Sequence, residues 1–197
     1  MKMTVSKLVL TIALMSFSMA GYASEWLIDN QQSQLNFLST KKVNVAEVHR
    51  FTNLSGDLDS QGQFSLRIDL TSVDTNNAVR DGRMKEFFFE TNTFSTALLT
   101  AKVEMSDLDA IALGTSAHFT IEANLDLHGK VQPLALELVV TRLLGDALSV
   151  VSLKPVILNV SDYSLVAGVD KLRELAKLPS IGHSVPVSFY LTLNLKK

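Results

Sequence analysis

The side chains that could do acid–base or metal chemistry are few and poorly spaced in this sequence. There are four histidines, His49, His118, His128 and His183, and no cysteine. No two histidines have the spacing of the H-E-x-x-H zinc motif. His118 and His128 lie in one predicted strand, over 30 Å apart at about 3.3 Å per residue. They cannot share a metal ion, and we expect no metal site.

Motifs of nucleophilic and nucleotide chemistry are also missing from the sequence. Asp74-Thr75-Asn76 resembles the Asp-Thr-Gly of aspartic proteases, but Asn replaces Gly and no second copy exists. The chain has no G-x-S-x-G motif, no P-loop and no dinucleotide fingerprint. The lack of cysteine excludes thiol catalysis. The sequence therefore predicts a protein that is not an enzyme and needs no cofactor.

A binding site is indicated instead by RDGRMKEFFFE, residues 80–90, where cations precede three consecutive phenylalanines. Such a run is not expected on a water-exposed surface, so it needs an apolar partner, which is either the rest of the protein or a ligand. If a bound ligand carries a polar head, these cations are its nearest charged groups; otherwise they form a solvated helix face. The candidate residues here are Arg80, Arg83, Met84, Lys85, Phe87 and Phe88.

The first residues have the layout of a secretory signal peptide. Lys2 and Lys7 precede an apolar run over residues 8–20, and the small residues Gly21 and Ala23 follow. The run is shorter than the roughly 20 residues that span a bilayer, although an uncleaved anchor is the alternative. We expect cleavage after Ala23, a periplasmic domain of residues 24–197, and no stable membrane insertion afterwards.

The net charge limits the partners of the mature chain. Loss of Lys2 and Lys7 leaves 16 basic against 20 acidic side chains, a net charge of −4. A mildly acidic chain without a basic stripe is a poor nucleic-acid binder, so no nucleic-acid partner is expected. The sequence is compatible with both a monomer and a homodimer.

Most of the mature sequence alternates apolar and polar residues with the period of a β-strand. In residues 117–127, every second residue from Ala117 to Leu127 is apolar and the residues between are polar. Residues 66–70, 97–105, 133–138 and 185–195 behave alike. Glycine-containing turns at 59–63, 128–130 and 143–147 separate these runs, as hairpins require.

Two stretches have helical rather than strand spacing. Residues 76–86 predict a short helix capped by Asp74 or Thr75, and residues 168–178 predict another that Pro179 ends. Eight to ten antiparallel strands with one apolar face each fit either a sandwich or a closed barrel. Closure would remove the exposed edges that long alternating strands otherwise present.

The order of several motifs resembles the YceI-like family. These are the opening SEWLIDNQQSQLNFLSTK, then LSGDLD, LRIDLTSVDTNN, RDGRMKEFFFE, ANLDLHGKVQPLALEL, SDYSL and LPSIGHSVPVSFYLTLNL. The resemblance implies an all-β, antiparallel, lipocalin-like barrel of about eight strands with one or two short helices. It also implies an exported protein that binds a long hydrophobic lipid of the polyisoprenoid or isoprenoid quinone type.

The chain departs from the family pattern near the expected mouth of the barrel. Phe87 stands where relatives usually have Asp, and TNTFST replaces their Pro-containing turn. His128 replaces a common Arg, and Ala123 replaces a common Gly. Because a carboxylate cannot be buried unpaired without a penalty of several kcal/mol, we expect Phe87 to be more exposed than Phe88 and to lie near the mouth. Phe88 is expected to be the buried anchor.

If the barrel holds a lipid, the alternation predicts which residues point into its lumen. They are Leu66, Ile68, Leu70, Leu99, Val103, Phe119, Ile121, Leu125 and Phe189. An eight-stranded barrel has room either for its own side chains or for one small ligand. The alternative is thus a filled barrel, a structural or interaction protein of the cell envelope whose helix at 168–178 docks a partner.

Overall fold

The alternating segments form twelve β-strands in the computed structural model, which describes residues 25–196. The strands are β1 (Trp26–Ile28), β2 (Gln34–Lys41), β3 (Val45–Phe51), β4 (Leu54–Leu58), β5 (Gln63–Asp69), β6 (Val73–Asp74), β7 (Thr96–Lys102), β8 (Ser116–Leu127), β9 (Lys130–Leu143), β10 (Ala147–Ser152), β11 (Val156–Asn159) and β12 (Ser184–Leu195). The α-helices are α1 (Ala78–Arg83), α2 (Met105–Asp109) and α3 (Val166–Leu175). A π-helical turn covers Met84–Phe88, and 3-10 turns cover Asn30–Gln32, Leu70–Ser72 and Val160–Tyr163.

Eight of the strands close into an antiparallel barrel. Their order is β1-β4-β5-β7-β8-β9-β10-β12, and β12 pairs back onto β1. Trp26 lies opposite Leu195 and Ile28 opposite Leu193 at this junction. The predicted lipocalin-like, all-β barrel with few short helices is therefore confirmed.

The β8–β9 hairpin has the longest ladder of the barrel. Its register runs from Ser116 opposite Thr141 to Leu127 opposite Lys130. The two-residue turn places His128 at φ 55° and Gly129 at φ 69°, the backbone that a tight hairpin with right-handed twist requires. The hairpin thus keeps one apolar face of β8 turned inward over its whole length.

The barrel has two different ends. We call the end with the β2–β3 turn (residues 42–44) the open end, and the end with the β9–β10 turn (residues 144–146) the closed end. At the open end, β2, β3 and β6 continue the sheet beyond β12, and β11 adds to the other side of β12. α1 follows β6 directly, and α3 packs on the π-helical turn.

The closed end is filled by the protein's own side chains. Leu191 and Leu193 of β12 are only 1 % exposed. Leu108 of α2 and Ile111 just after it are also buried. This helix was not predicted, because residues 97–105 were expected to continue as one strand. The strand ends at Lys102, and Val103 N–H then donates to the Gly62 carbonyl at 2.8 Å.

The helix predicted over residues 76–86 forms with shifted bounds and a different cap. Asn77 caps α1, since its side chain accepts hydrogen bonds from Val79 N–H and Arg80 N–H. The expected cap Thr75 is instead buried and donates its backbone and side-chain hydrogens to Asp81. The other candidate, Asp74, accepts from Asn76 N–H and from Arg50.

The second predicted helix begins and ends earlier than expected. α3 ends at Leu175 because the chain reverses at Lys177, which has a φ of 52°, before Pro179 is reached. Val169 is buried and Leu172 packs against the same core. The apolar side of α3 is therefore used inside the protein, which leaves it unavailable for the partner docking considered above.

Candidate functional site

A cavity of about 520 Å³ occupies the open end of the barrel. Its size is typical of small-molecule pockets. Aliphatic and aromatic side chains from strands and helices form most of its wall. These include Leu35, Phe37, Phe51, Leu66, Ile68, Leu70, Met84, Phe88, Leu99, Leu125, Leu127, Leu134, Leu136, Val169, Leu172, Val185, Val187 and Phe189. Such a wall suits an apolar ligand.

The floor of the cavity separates it from the filled closed end. Leu99, Leu136 and Phe189 line the cavity and also a second, smaller space of about 60 Å³ beneath it. That second space is far below the size of an ordinary ligand pocket. The barrel therefore combines a packed lower half with a hollow upper half.

Exposed residues among the cavity lining mark its opening. They are Asn77 and Val79 at the start of α1, Asn159 at the end of β11, and Ala176 and Gly182 in the segment after α3. Lys41 and Glu47 of the β2–β3 hairpin complete this rim. The cavity therefore opens between α1, the hairpin and residues 176–182.

The three consecutive phenylalanines have three different environments. Phe89 is only 5 % exposed, and its ring centroid lies 4.6 Å from that of Phe88 and 5.6 Å from that of Phe51. Phe88 is half-buried and lines the cavity, whereas Phe87 is half-buried and lies outside the cavity lining. The expectation that Phe88 is the buried anchor is therefore wrong: Phe89 has this position.

The reason for the error is the backbone between Met84 and Phe88. In an extended segment, the three consecutive side chains would alternate between opposite sides. The chain instead continues as a π-helical turn, in which Phe89 N–H donates to the Met84 carbonyl at 2.8 Å. Single π-turns of this kind add a residue and rotate the side chains that follow.

A polar network lies on one side of the opening. Glu47 of β3 accepts hydrogen bonds from Lys41 Nζ and from Arg80 Nη1, both at 2.7 Å. The hydrogen bond from Lys41, aided by the charge of Arg80, lowers the pKa of Glu47. Arg80 also donates to the side chain and carbonyl of Thr75. Its guanidinium is therefore fixed by the protein itself.

Arg83 has fewer contacts than Arg80. Its Nη1 donates to the Leu175 carbonyl at 3.3 Å, which ties α1 to the end of α3, and the residue lines the cavity. Lys85 of the π-helical turn is not part of the lining. Among the three predicted head-group cations, Arg83 is thus the one that lines the cavity and makes only a single hydrogen bond to the protein.

His49 is a buried polar residue in the cavity wall. Its Nε2 lies 2.9 Å from Ser39 Oγ, and its ring packs 5.3 Å from the ring of Phe37. Burial, and secondarily the charge of Arg80, lowers the pKa of His49. The side chain is therefore neutral at neutral pH and adds no charge to the wall.

The predicted lumen residues divide between the two spaces. Leu66, Ile68, Leu70, Leu99, Leu125 and Phe189 line the cavity, whereas Val103, Phe119 and Ile121 line only the small space at the closed end. Of the predicted mouth residues, Arg80, Arg83, Met84 and Phe88 line the cavity; Lys85 and Phe87 do not. The alternation indicates which side chains of a strand face the barrel interior, but it does not indicate how far along the barrel axis each residue lies.

Several cavity residues were absent from the predicted set. Val185 and Val187 of β12 line the cavity, and their alternation with Phe189 was a usable signal. Tyr163 and Val169 also line it. Nothing in the local sequence pattern could have placed these two, because the long connection between β11 and β12 brings them over the barrel.

Within residues 25–196, no group of three or more His, Asp or Glu side chains is arranged to hold a metal ion. The same part of the chain has no helix with the length and apolar character needed to cross a membrane. The predicted signal peptide lies outside the described residues.

The YceI-like domain matches residues 26–193. No curated protein matches. A solved polyisoprenoid-binding domain from Saccharophagus degradans, implicated in plant cell wall breakdown, is 40 % identical, with a TM-score of 0.85. The match covers 87 % of this chain and 98 % of that domain.

Two more distant structures share the fold. BcnA of Burkholderia cenocepacia is 15 % identical with a TM-score of 0.62, and the match covers 84 % of this chain and 98 % of BcnA. The YCEI protein of Campylobacter jejuni is 12 % identical with a TM-score of 0.54, and the match covers 76 % of this chain and 84 % of that protein.

Proposed function

The chain belongs to the YceI-like family, and on that basis we propose that it binds a long-chain hydrophobic lipid in the cavity at the open end of its barrel. The observation that carries this proposal is the 520 Å³ apolar cavity, in a chain 40 % identical to a polyisoprenoid-binding domain. A polyisoprenoid or an isoprenoid quinone is the ligand class we favour. We propose binding or carriage rather than catalysis.

The energetics of burial support an apolar tail in this site. Each buried methylene contributes about 0.8 kcal/mol, so a tail of many carbons has a large transfer free energy. Few polar groups in the wall would lose hydrogen bonds to water when the tail enters. Neutral His49 bonds to Ser39, and Glu47 and Arg80 bond to each other. Among the buried polar atoms of the lining residues, His49 Nδ1 and Tyr163 Oη have no protein hydrogen-bond partner, so the desolvation cost is confined to a few groups.

A ligand head group would lie at the rim rather than deep in the barrel. Arg83 lines the cavity and has unused donors, whereas Arg80 is fixed by Glu47 and Thr75. Guanidinium groups bind phosphate or carbonyl oxygens with directional hydrogen bonds. We assign Arg83 the role of contacting an oxygen-bearing head group.

The direct test is to identify what the purified protein contains. The protein is extracted with organic solvent, and the extract is analysed by mass spectrometry. We expect one apolar lipid class in near-stoichiometric amount. An extract without lipid, together with no binding of an added long-chain isoprenoid, would favour the alternative of a structural protein without a ligand.

We also propose that residues 1–23 are a signal peptide and that residues 24–197 act in the periplasm as one domain. N-terminal sequencing of the exported protein should give Ser24 as the first residue. A start at Met1 in a membrane fraction would disprove this. Whether the domain is a monomer or a homodimer is read from sedimentation equilibrium of the same preparation.

A further inference from the structure

The tip of the β2–β3 hairpin combines two unfavourable features beside the cavity opening. Val43 is 84 % exposed and has a φ of 71°. The turn is tight, since Asn44 N–H donates to the Lys42 carbonyl at 2.9 Å. A β-branched residue at positive φ is strained, and its exposure to water adds a second cost. Strain retained at an exposed position points to a function of the tip.

The tip is held firmly against the rim. Lys42 N–H donates to the Ser180 carbonyl at 3.1 Å, and Val43 N–H donates to Ser180 Oγ at 3.3 Å. Gly182 N–H donates to the Thr40 carbonyl at 2.7 Å. Because Gly182 lines the cavity, the exposed valine is fixed next to the opening.

A second exposed valine lies at the same end of the barrel. Val79 in the first turn of α1 is 65 % exposed and lines the cavity. The apolar surface of the cavity therefore continues outward onto the rim.

The charge of the rim is positive although the chain is acidic. Lys42 at the hairpin tip and Lys177 beside the opening are exposed, and neither forms an ion pair within residues 25–196. The nearby Glu47 is compensated by Lys41 and Arg80, and Glu174 pairs with Lys171. Exposed apolar side chains flanked by lysines are typical of surfaces that lie on anionic bilayers.

We propose that the rim formed by Val43, Val79, Lys42 and Lys177 docks on an anionic lipid bilayer, with the cavity opening facing the membrane. In this orientation the valines enter the interfacial region and the lysines contact lipid phosphates. An apolar ligand could then pass between bilayer and cavity without crossing water. The purpose of docking rests on the proposed lipid-binding function, but the docking surface itself does not.

The test is vesicle flotation. The full chain is expressed, and the N-terminus of the purified protein is verified. Vesicles of phosphatidylcholine alone are compared with vesicles that contain phosphatidylglycerol. The variants are Val43→Asn and Lys42→Glu/Lys177→Glu. Their controls at the closed end are Leu144→Asn, since Leu144 is 78 % exposed, and Lys102→Glu. Val43→Asn relieves the strained φ, so it should bind vesicles less while the protein becomes more stable.

We expect wild-type protein to float with the anionic vesicles, less so at high salt. Both rim variants should bind on the order of tenfold more weakly, and both controls should bind like the wild type. Equal binding by rim and control variants, or no flotation of the wild type with either vesicle, overturns the proposal. Solvent extraction of the same preparations keeps the two proposals apart, because the rim variants should still contain lipid if the cavity binds it.

Discussion

Gly168 of α3 lies directly against Phe88 of the π-helical turn. A Cβ atom added at Gly168 would come within 2.7 Å of the Phe87 carbonyl oxygen and 2.8 Å of Phe88 Cα. Both are backbone atoms, so they can move only if one helix moves. The absence of a side chain at position 168 thus sets how closely α3 covers the cavity.

Replacing Gly168 with alanine should push α3 away from the π-helical turn. We expect the free energy of unfolding to fall by about 1–3 kcal/mol, as overpacked sites do. Gly82→Ala in α1 is the matched control, because a Cβ there meets nothing within 4 Å. It should be neutral or add up to about 1 kcal/mol through helix propensity. Urea denaturation of both variants checks this; equal effects would contradict the close contact.

Phe89→Ala should be the most damaging truncation in the phenylalanine run. Removal of a buried aromatic ring costs about 3–5 kcal/mol, and Phe89 contacts both Phe51 and Phe88. Phe87→Ala should cost clearly less because Phe87 is only half-buried. Denaturation midpoints of the two variants decide the order; a larger loss for Phe87→Ala would refute the assignment of Phe89 as the anchor.

The cavity predicts opposite results for two tryptophan substitutions. Val187 lines the cavity, so Val187→Trp should fill it, expel lipid and leave the fold largely stable. Ile121 lines only the 60 Å³ space, so Ile121→Trp should overpack the closed end at a cost of about 1–3 kcal/mol. Lipid content and denaturation midpoint are measured for both. Unchanged lipid content in stable Val187→Trp protein would place the ligand elsewhere.

Substitution of Arg80 should mainly affect stability, whereas substitution of Arg83 should mainly affect ligand retention. Arg80→Met removes the hydrogen bonds to Glu47 and Thr75, so it should lower stability by on the order of 1–2 kcal/mol. Arg83→Met removes one long hydrogen bond to Leu175 and should mainly reduce retention of a lipid with a polar head. Both variants are compared by denaturation and by extraction. Equal lipid retention in Arg83→Met and wild type would exclude Arg83 as the head-group contact.

His49 should make the protein less stable as the pH falls below about 6.5. Burial of the ring lowers the pKa of His49 in the folded protein below the ordinary histidine value of about 6.5. Between these two pKa values the unfolded chain binds a proton that the folded chain does not, so acidification favours unfolding. His49→Gln should remove this part of the pH dependence. The free energy of unfolding is measured by denaturation at about pH 7.5, 6.5 and 5.5, values on both sides of the ordinary histidine pKa.

The fold was largely readable from the sequence, and the site only in part. Alternation along β8 identified Ile121 and Leu125 as inward-facing, since side chains of a strand alternate between two faces. These two residues are about 13 Å apart along the strand, and only Leu125 reaches the cavity. Periodicity determines the face of a strand, but the depth of a cavity depends on how distant segments pack.

The cover of the cavity was the least predictable part. The π-helical turn at Met84–Phe88 has no local sequence signature, and it decides which phenylalanine is buried. Tyr163 and Val169 belong to the connection between β11 and β12, whose path over the barrel is fixed by long-range packing. The close contact at Gly168 could not be predicted either. From the sequence alone, a glycine in a predicted helix indicates only low helix propensity.

The position of β12 in the sheet has a consequence for the order of folding. Residues Ser184–Leu195 pair with β1, β2, β10 and β11, and β12 follows all of these strands in the chain. The barrel can close only after this segment has been synthesised and has paired with strands 150 or more residues away. Such distant pairings form slowly. A nascent chain therefore has no enclosed cavity until β12 has been synthesised and has paired with these strands.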